Sequence, residues 1–359
     1  MAAKAAAPDE PAEADRFEDA PHPRHARALI GHAEAEAELL AACVSGRLPQ
    51  AALIGGPQGV GKATLAWRLA RFLLVHRDAR AAQARHDLST DPDHPAVRQA
   101  LALSHPDLFL LRREWNDKTK RLASEIRVDD VRRMIHMFQQ AASGDGWRVG
   151  LVDSAEDLNA SGANALLKLI EEPPPRCMIL IVAHRPGRVL PTIRSRCRKI
   201  LLRPLGAAEV AQVLTSLGPP WSTTDAARRE AAAARARGSI HGALRRLSEK
   251  SADFDARARR LLDALPRLDP RAVQMTADHV ALRDHSEDYD ALLEAVFDWL
   301  EDRLRAPAPQ GARALAPYAE VWEKATEAAR QTEALNLDRR PFVLSLFADL
   351  AAAARRAAA

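Results

Sequence analysis

The sequence predicts an α/β P-loop domain built on a five-stranded parallel sheet, followed by a small helical module and an all-helical C-terminal domain. Three observations predict it. A short apolar run, Ala51 to Ile54, enters a glycine-rich turn from Gly56 to Gly61-Lys62 and then a stretch of good helix formers, which is the strand, loop, helix order of a phosphate-binding loop. Further apolar runs at 108–111, 148–152, 178–183 and 199–202 alternate with segments of helical period, the pattern of a parallel sheet covered by helices. Beyond residue 251 only helical periodicity remains.

Composition bounds the reading. A chain of 359 residues is long enough for two or three domains at about 150 residues each. Hydrophobic residues make up 47% but aromatics only 4%, so the buried surface is expected to be built mainly from helix-forming Ala and Leu. The net charge of +4, from 52 Lys plus Arg against 48 Asp plus Glu, is too balanced to attract nucleic acid in bulk, and any basic surface must be local. Cys43, Cys177 and Cys197 are odd in number and widely spaced, which argues against a disulfide framework or a zinc knuckle. Residues 1–19 lack the apolar core of a signal peptide and no run of 18 apolar residues occurs, so a soluble, cytoplasmic protein without a membrane partner is expected.

Residues 1–20 are rich in Ala, Pro and acidic residues without periodicity and are expected to form a disordered tail. A helix is expected over 33–44, then the strand entering the P-loop, then a helix to about His76 with Leu65, Leu69, Phe72 and Leu73 on one face. The segment 77–104 is polar; His86 and His94 in it, with His105 just after, match no ligand spacing and are read as solvated rather than metal-binding. After the strand at 108–111, the charged stretch 112–121 is expected to be an exposed turn, and Asp129 and Asp130 suit the positive end of a following helix. The run Arg148 to Val152 ends in Asp153, the strand-end position where P-loop ATPases hold Mg²⁺. A helix over 159–172 stops at Pro173-Pro174-Pro175.

From Arg185 to Arg203 seven cations occur with no Asp or Glu between them, broken by Pro186, Gly187 and Pro191. They are expected on a loop and helix end rather than on one long helix. Helices are then expected at 209–217, 225–237 and 240–247, and farther on at 289–304, 317–334 and 341–353, with a linker at 306–312. The resulting division is 1–20 tail, 21–205 P-loop domain, 206–250 helical lid, and 251–359 helical domain.

Several strings resemble bacterial clamp loader subunits of the AAA+ ATPase class, with the likeness running from about Pro21 onward. Asn164-Ala165-Leu166-Leu167-Lys168-Leu169-Ile170-Glu171-Glu172-Pro173-Pro174 is similar to the clamp loader string Asn-Ala-Leu-Leu-Lys-x-x-Glu-Glu-Pro-Pro almost residue for residue. Ser195-Arg196-Cys197 resembles the Ser-Arg-Cys motif whose arginine reaches a neighbouring subunit's ATP site. The resemblance implies that Arg196 is an arginine finger acting in trans. It also implies that Gly56, Gly59, Gly61, Lys62, Thr64 and Asp153 descend from a nucleotide site.

That site departs from the catalytic pattern. The Mg²⁺-binding hydroxyl after the P-loop lysine is replaced by Ala63, and Thr64 is turned about 100° away. Ser154 stands where a water-orienting Glu would follow Asp153, Ala183-His184 replaces the γ-phosphate sensor, and His241 in Gly238-Ser239-Ile240-His241 replaces the second sensor's arginine. The resemblance is therefore to the delta prime family of clamp loader subunits, which keep the ATPase architecture without the catalysis. It implies gamma/tau and delta partners, the β sliding clamp and primed DNA reached through the complex, and a collar role for 251–359. No polymerase or efficient ATPase activity is expected of the chain itself. Two alternatives stay open, an active AAA+ motor and a nucleotide-binding scaffold that holds ATP weakly without hydrolysis. No cofactor is required on this reading, and with no cysteine at 77–104, where many relatives insert a four-cysteine module, neither zinc nor any other metal is expected.

Overall fold

The computed structural model describes residues 13, 16–17, 20–76, 78, 85–116, 118, 121–140, 146–282, 285–305, 312–335 and 337–358. The chain divides into two compact units, Met1–Leu247 and Ser248–Ala359. In the first, a helical turn at Pro23–His25 precedes α1 (Ala33–Val44), β1 (Ala51–Gly55), α2 (Lys62–Val75), α3 (Pro95–Leu101), β2 (Leu108–Leu111), β3 (Trp115–Asn116), β4 (Arg121–Leu122), α4 (Val128–Gln139) and β5 (Arg148–Asp153). After a turn at Ala155–Asp157 come α5 (Ala160–Glu171), β6 (Cys177–Ala183), α6 (Pro191–Arg196), β7 (Arg198–Leu201), α7 (Ala207–Ser216), α8 (Ala226–Arg235) and α9 (Ile240–Leu247).

β2, β5, β6, β1 and β7 lie in that order in one sheet, and every pairing is parallel. Because successive strand residues face opposite ways, the apolar runs feed two cores. Ala52, Ile54, Leu151, Leu180 and Val182 pack with α1 and α2, while Leu53, Val152, Ile179 and Ile181 pack with α4, α5 and α6. β1 sits between β6 and β7, with Leu53 opposite Ile181 on one side and Lys199 on the other, so the loop leaving β1 starts inside the sheet rather than at its edge. α2 is buried nearly all round, and Arg68 within it is neutralised by Glu36 of α1 at 2.6 Å.

α5 begins where Asn159 accepts a hydrogen bond from the Gly162 N–H at 2.7 Å, a side-chain cap for an otherwise unmet donor. The stretch 112–121, expected as a turn, instead contributes β3, which pairs antiparallel with β4 through Trp115 opposite Leu122. Two-residue strands among charged neighbours carry no period to detect. α7 to α9 close on a core of their own, including Val210, Leu214, Trp221, Ala232 and Leu244.

Most of the 1–20 stretch lies outside the described residues, but Phe17 and Ala20 belong to that same helical core. Phe17 meets His241 edge-on at a ring separation of 4.8 Å, and Glu13 pairs with Arg24 and Arg112. The expectation of a disordered tail is therefore corrected at these positions. One apolar ring in a polar tail gains a buried place from the lid it meets, which composition cannot register.

The second unit consists of α10 (Glu249–Asp263), α11 (Pro270–Ala281), α12 (Ser286–Arg305), α13 (Ala312–Ala334) and α14 (Arg339–Ala358). Its core is built from Val273, Leu292, Val296, Leu300, Val343, Phe347 and Leu350 among others. Most of the expected linker at 306–312 lies outside the described residues. α13 begins at Ala312 and carries Pro317 within its first turns.

Candidate functional site

The loop leaving β1 places Gly56, Gly59 and Gly61 at φ values of +149°, +75° and +101°, conformations that side-chain-bearing residues rarely adopt. Space also requires glycine at two of them. A Cβ on Gly56 would stand 2.5 Å from the Leu202 carbonyl oxygen, and one on Gly59 would stand 2.5 Å from Ser239 Oγ and 2.6 Å from the His241 nitrogen. The segment entering α9 thus lies directly on the loop, and the Ile240 N–H donates to the Gly59 carbonyl at 2.8 Å. From the other side His32 Nε2 bonds the Val60 carbonyl at 2.9 Å.

Lys62 opens α2 but turns back, its Nζ donating to the Pro57 carbonyl at 2.5 Å with the residue only 3% exposed. Burial lowers its pKa to about 8, partly opposed by the charges of Asp153 and Glu156. Asp153 ends β5 and is itself buried, as is Ser154 after it. Ala63, partly buried, packs against the core, and its methyl group offers no ligand atom. Thr64, one position on, is half-buried. Glu156 accepts a hydrogen bond from the Arg185 N–H at 2.5 Å.

His184, at the end of β6, has its pKa pushed down to about 3, first by burial and then by Lys62, Arg185, His241 and Arg113. It is a neutral imidazole among cationic groups, and the carboxylates of Asp153 and Glu156 act on the Lys62 of the same cluster. The structure therefore joins Gly56, Gly59, Gly61, Lys62 and Asp153 with His184, His241 and Phe17. The part played by Phe17 has no sequence signal. The places of His184 and His241 were marked only as departures from a motif.

Arg196 is elsewhere. It ends α6, and its Nε pairs with Glu171 Oε1 at 2.6 Å, both side chains being more than two-fifths exposed. Its guanidinium also donates to the Thr192 carbonyl at 3.2 Å and approaches Ser195 Oγ at 3.3 Å. Asn164, Lys168 and Glu171 are exposed on α5 at the spacing that shares one helix face, while Leu166, Leu169 and Ile170 fill the core. Glu172 follows, also exposed, as the C-cap. Cys197 is buried, and burial raises its thiol to about 11, which makes it a packing residue rather than a reactive one. The conspicuous string of α5 thus forms one polar ridge that ends at Arg196.

Among the described residues, no helix is long and apolar enough to cross a membrane. Residues 31–206, just under half of the chain, match a family described as DNA polymerase III, delta subunit. The DNA polymerase III subunit delta' of Pseudomonas aeruginosa is 40% identical over 145 residues, covering 40% of this chain and 40% of that protein. The subunit delta' of Escherichia coli K12 is 32% identical over 167 residues, 46% of each chain. A DNA polymerase III subunit gamma/tau of Mycobacterium tuberculosis H37Rv is 32% identical over 171 residues, 47% of this chain and 27% of that one. The matches therefore span about two fifths to one half of the delta' relatives. A solved DNA polymerase III gamma subunit-related protein of Thermotoga maritima aligns over 88% of this chain and 99% of its own at a TM-score of 0.38 and 14% identity.

Proposed function

We propose that this chain, which resembles the delta prime subunits of bacterial DNA polymerase III, is a non-catalytic stator of the clamp loader. It supplies Arg196 in trans to the ATP site of a neighbouring gamma/tau subunit. One observation carries the reading: Arg196 stands at an exposed helix end, paired with Glu171, at the tip of the ridge formed by the string shared with clamp loaders. A guanidinium presented this way can neutralise charge on a transferring γ-phosphoryl group. Such fingers raise turnover by about 10³ to 10⁵, on the order of 4 to 7 kcal/mol of barrier.

On this reading the chain's own P-loop supports architecture. Ala63 and Ser154 withhold the metal-binding hydroxyl and the water-orienting carboxylate, and the Lys62 ammonium is committed to Pro57. The helical second unit joins gamma/tau and delta in the collar, and the assembled loader opens the β sliding clamp and seats it on primed DNA. The test is a loader reconstituted with gamma/tau and delta and carrying Arg196→Ala. DNA-stimulated ATP turnover at the served site should fall by at least about 10³ with clamp loading lost, and unchanged turnover would remove the finger. Weak ATP binding without hydrolysis is the second reading, favoured by the glycine conformations of the loop and the cationic groups near His184. Fluorescent-nucleotide titration of the isolated chain, with and without Mg²⁺, separates it from an empty site.

A further inference from the structure

The corner between α11 and α12 in the helical unit gathers a set of side chains that the clamp loader reading does not use. His279 lies in the last turn of α11, His285 immediately precedes α12, and Asp288 lies in the first turn of α12. His279 Nε2 is 2.6 Å and His285 Nδ1 3.4 Å from Asp288 Oδ2. The two imidazole rings are 3.9 Å apart between centroids, and one ligand atom from each residue falls within 4.8 Å of the others. All three are half-buried, so an ion could enter without unfolding the corner.

We propose that His279, His285 and Asp288 form a three-ligand site for a divalent transition-metal ion, Zn²⁺ in the first instance, with the fourth position open to water. The separations to Asp288 approach what the ion demands. Zn–N bonds of about 2.0 to 2.1 Å in a tetrahedron separate neighbouring ligand atoms by roughly 3.4 Å. The His285–Asp288 separation already has that value, His279 needs to withdraw from Asp288 by less than an ångström, and the two rings, with centroids 3.9 Å apart, need to part by about 1 Å to aim both lone pairs at one tetrahedral ion. Two imidazoles with one carboxylate select for zinc-like ions over Mg²⁺ or Ca²⁺, which prefer oxygen alone.

The surroundings favour a fixed site. Phe254 stacks on the His279 ring at 5.3 Å with the planes 25° apart, which restrains the imidazole as supporting residues do in metal sites. The nearby Arg339 guanidinium is turned onto the Tyr289 ring at 4.5 Å. A metal here would tie the end of α11 to the start of α12. This is the opposite of the metal-free chain expected from the lack of cysteines at 77–104, and it concerns a different unit.

Full-length chain stripped with chelator and dialysed against ZnCl₂ should retain one equivalent and unfold at a higher temperature than the stripped form. His285→Asn and Asp288→Asn should each weaken binding by at least about tenfold and abolish the thermal shift. Failure to retain stoichiometric Zn²⁺, or retention unchanged by both substitutions, overturns the site. Should either variant misfold by circular dichroism, Co²⁺ bound to the parent chain decides. Intense visible bands of a tetrahedral ion at one equivalent support the site, and the pale spectrum of an octahedral ion overturns it.

Discussion

Lys62 and Arg196 are both cations suited to phosphate, and the same domain handles them in opposite ways. Lys62 is 3% exposed and bonded to its own loop, whereas the Arg196 side chain is 42% exposed and, among the described residues, held by a similarly exposed Glu171 and the last turn of its helix. A buried ammonium is dear to hold and slow to redeploy. An exposed ion pair contributes about 0 to 1 kcal/mol, so its guanidinium can leave for a better partner at little cost. The contrast teaches that motif content and availability separate: in the corner with the fuller nucleotide motif the lysine is buried and Gly59 lies under the segment entering α9, and the corner with a single arginine is presented.

The largest expected effect is functional and falls on the exposed side. Arg196→Ala should cost at least about 10³ in turnover at the neighbouring site while leaving the chain's own unfolding midpoint nearly unchanged, because the lost pair is exposed. Parallel loss of stability and activity in urea titrations and ATPase assays would break the contrast by making Arg196 structural.

The next effect belongs to Lys62. Its folded pKa of about 8 lies below the ordinary 10.5, so between those values the unfolded chain binds more protons and stability rises with pH. Below pH 8 both states are protonated and the full penalty of a buried charge is present; above pH 10.5 it is gone. The parent should therefore gain about 3 kcal/mol relative to Lys62→Met across that window, read as the difference between urea midpoints at pH 7.5 and 10.5. A difference that stays flat with pH would mean that the ammonium is solvated and the loop open.

How much of this was legible follows from what kind of signal each part leaves. The central strands β1, β5 and β6 were visible because parallel strands buried on both faces read as apolar runs, as Met178 to Ala183 does, whereas the edge strands β2 and β7, less buried, left only short apolar runs. The α5 string and Ser195-Arg196-Cys197 were visible because their order carries them, although which of their side chains face solvent became clear only from the packing. The cover over Gly59 was not legible. It depends on Ser239, Ile240 and His241 reaching Gly59 and on Phe17 reaching His241, contacts between residues far apart in sequence with no periodic trace. The Arg68–Glu36 pair escaped for the same reason, since each looks like an ordinary charged residue on its own helix.

A pair of glycines sharpens the comparison further. Gly59→Ala places a Cβ at φ +75° and 2.6 Å from the backbone nitrogen of His241. The left-handed conformation alone costs about 1 to 2 kcal/mol, and displacing α9 adds to it, so a loss of more than about 2 kcal/mol is expected by thermal or urea unfolding. Gly187, in the loop leading to α6, has nothing within 4 Å of its would-be Cβ, and Gly187→Ala should shift stability by less than about 1 kcal/mol. Equal effects at the two positions would show that the lid does not bear on the loop.

The smallest effect tests whether the exposed corner is poised rather than locked. Glu171→Gln keeps the shape of the side chain that meets Arg196 at 2.6 Å but removes its charge. Stability should change by less than about 1 kcal/mol, and the change should shrink as salt rises. The reconstituted loader should keep ATP turnover within a few-fold of the parent, because on the proposed reading Glu171 competes with the phosphate for the guanidinium and does not act on the phosphate itself. If Glu171→Gln instead loses turnover as completely as Arg196→Ala, then the carboxylate is what aims the arginine, and the ion pair seen here belongs to the working state rather than to the resting one.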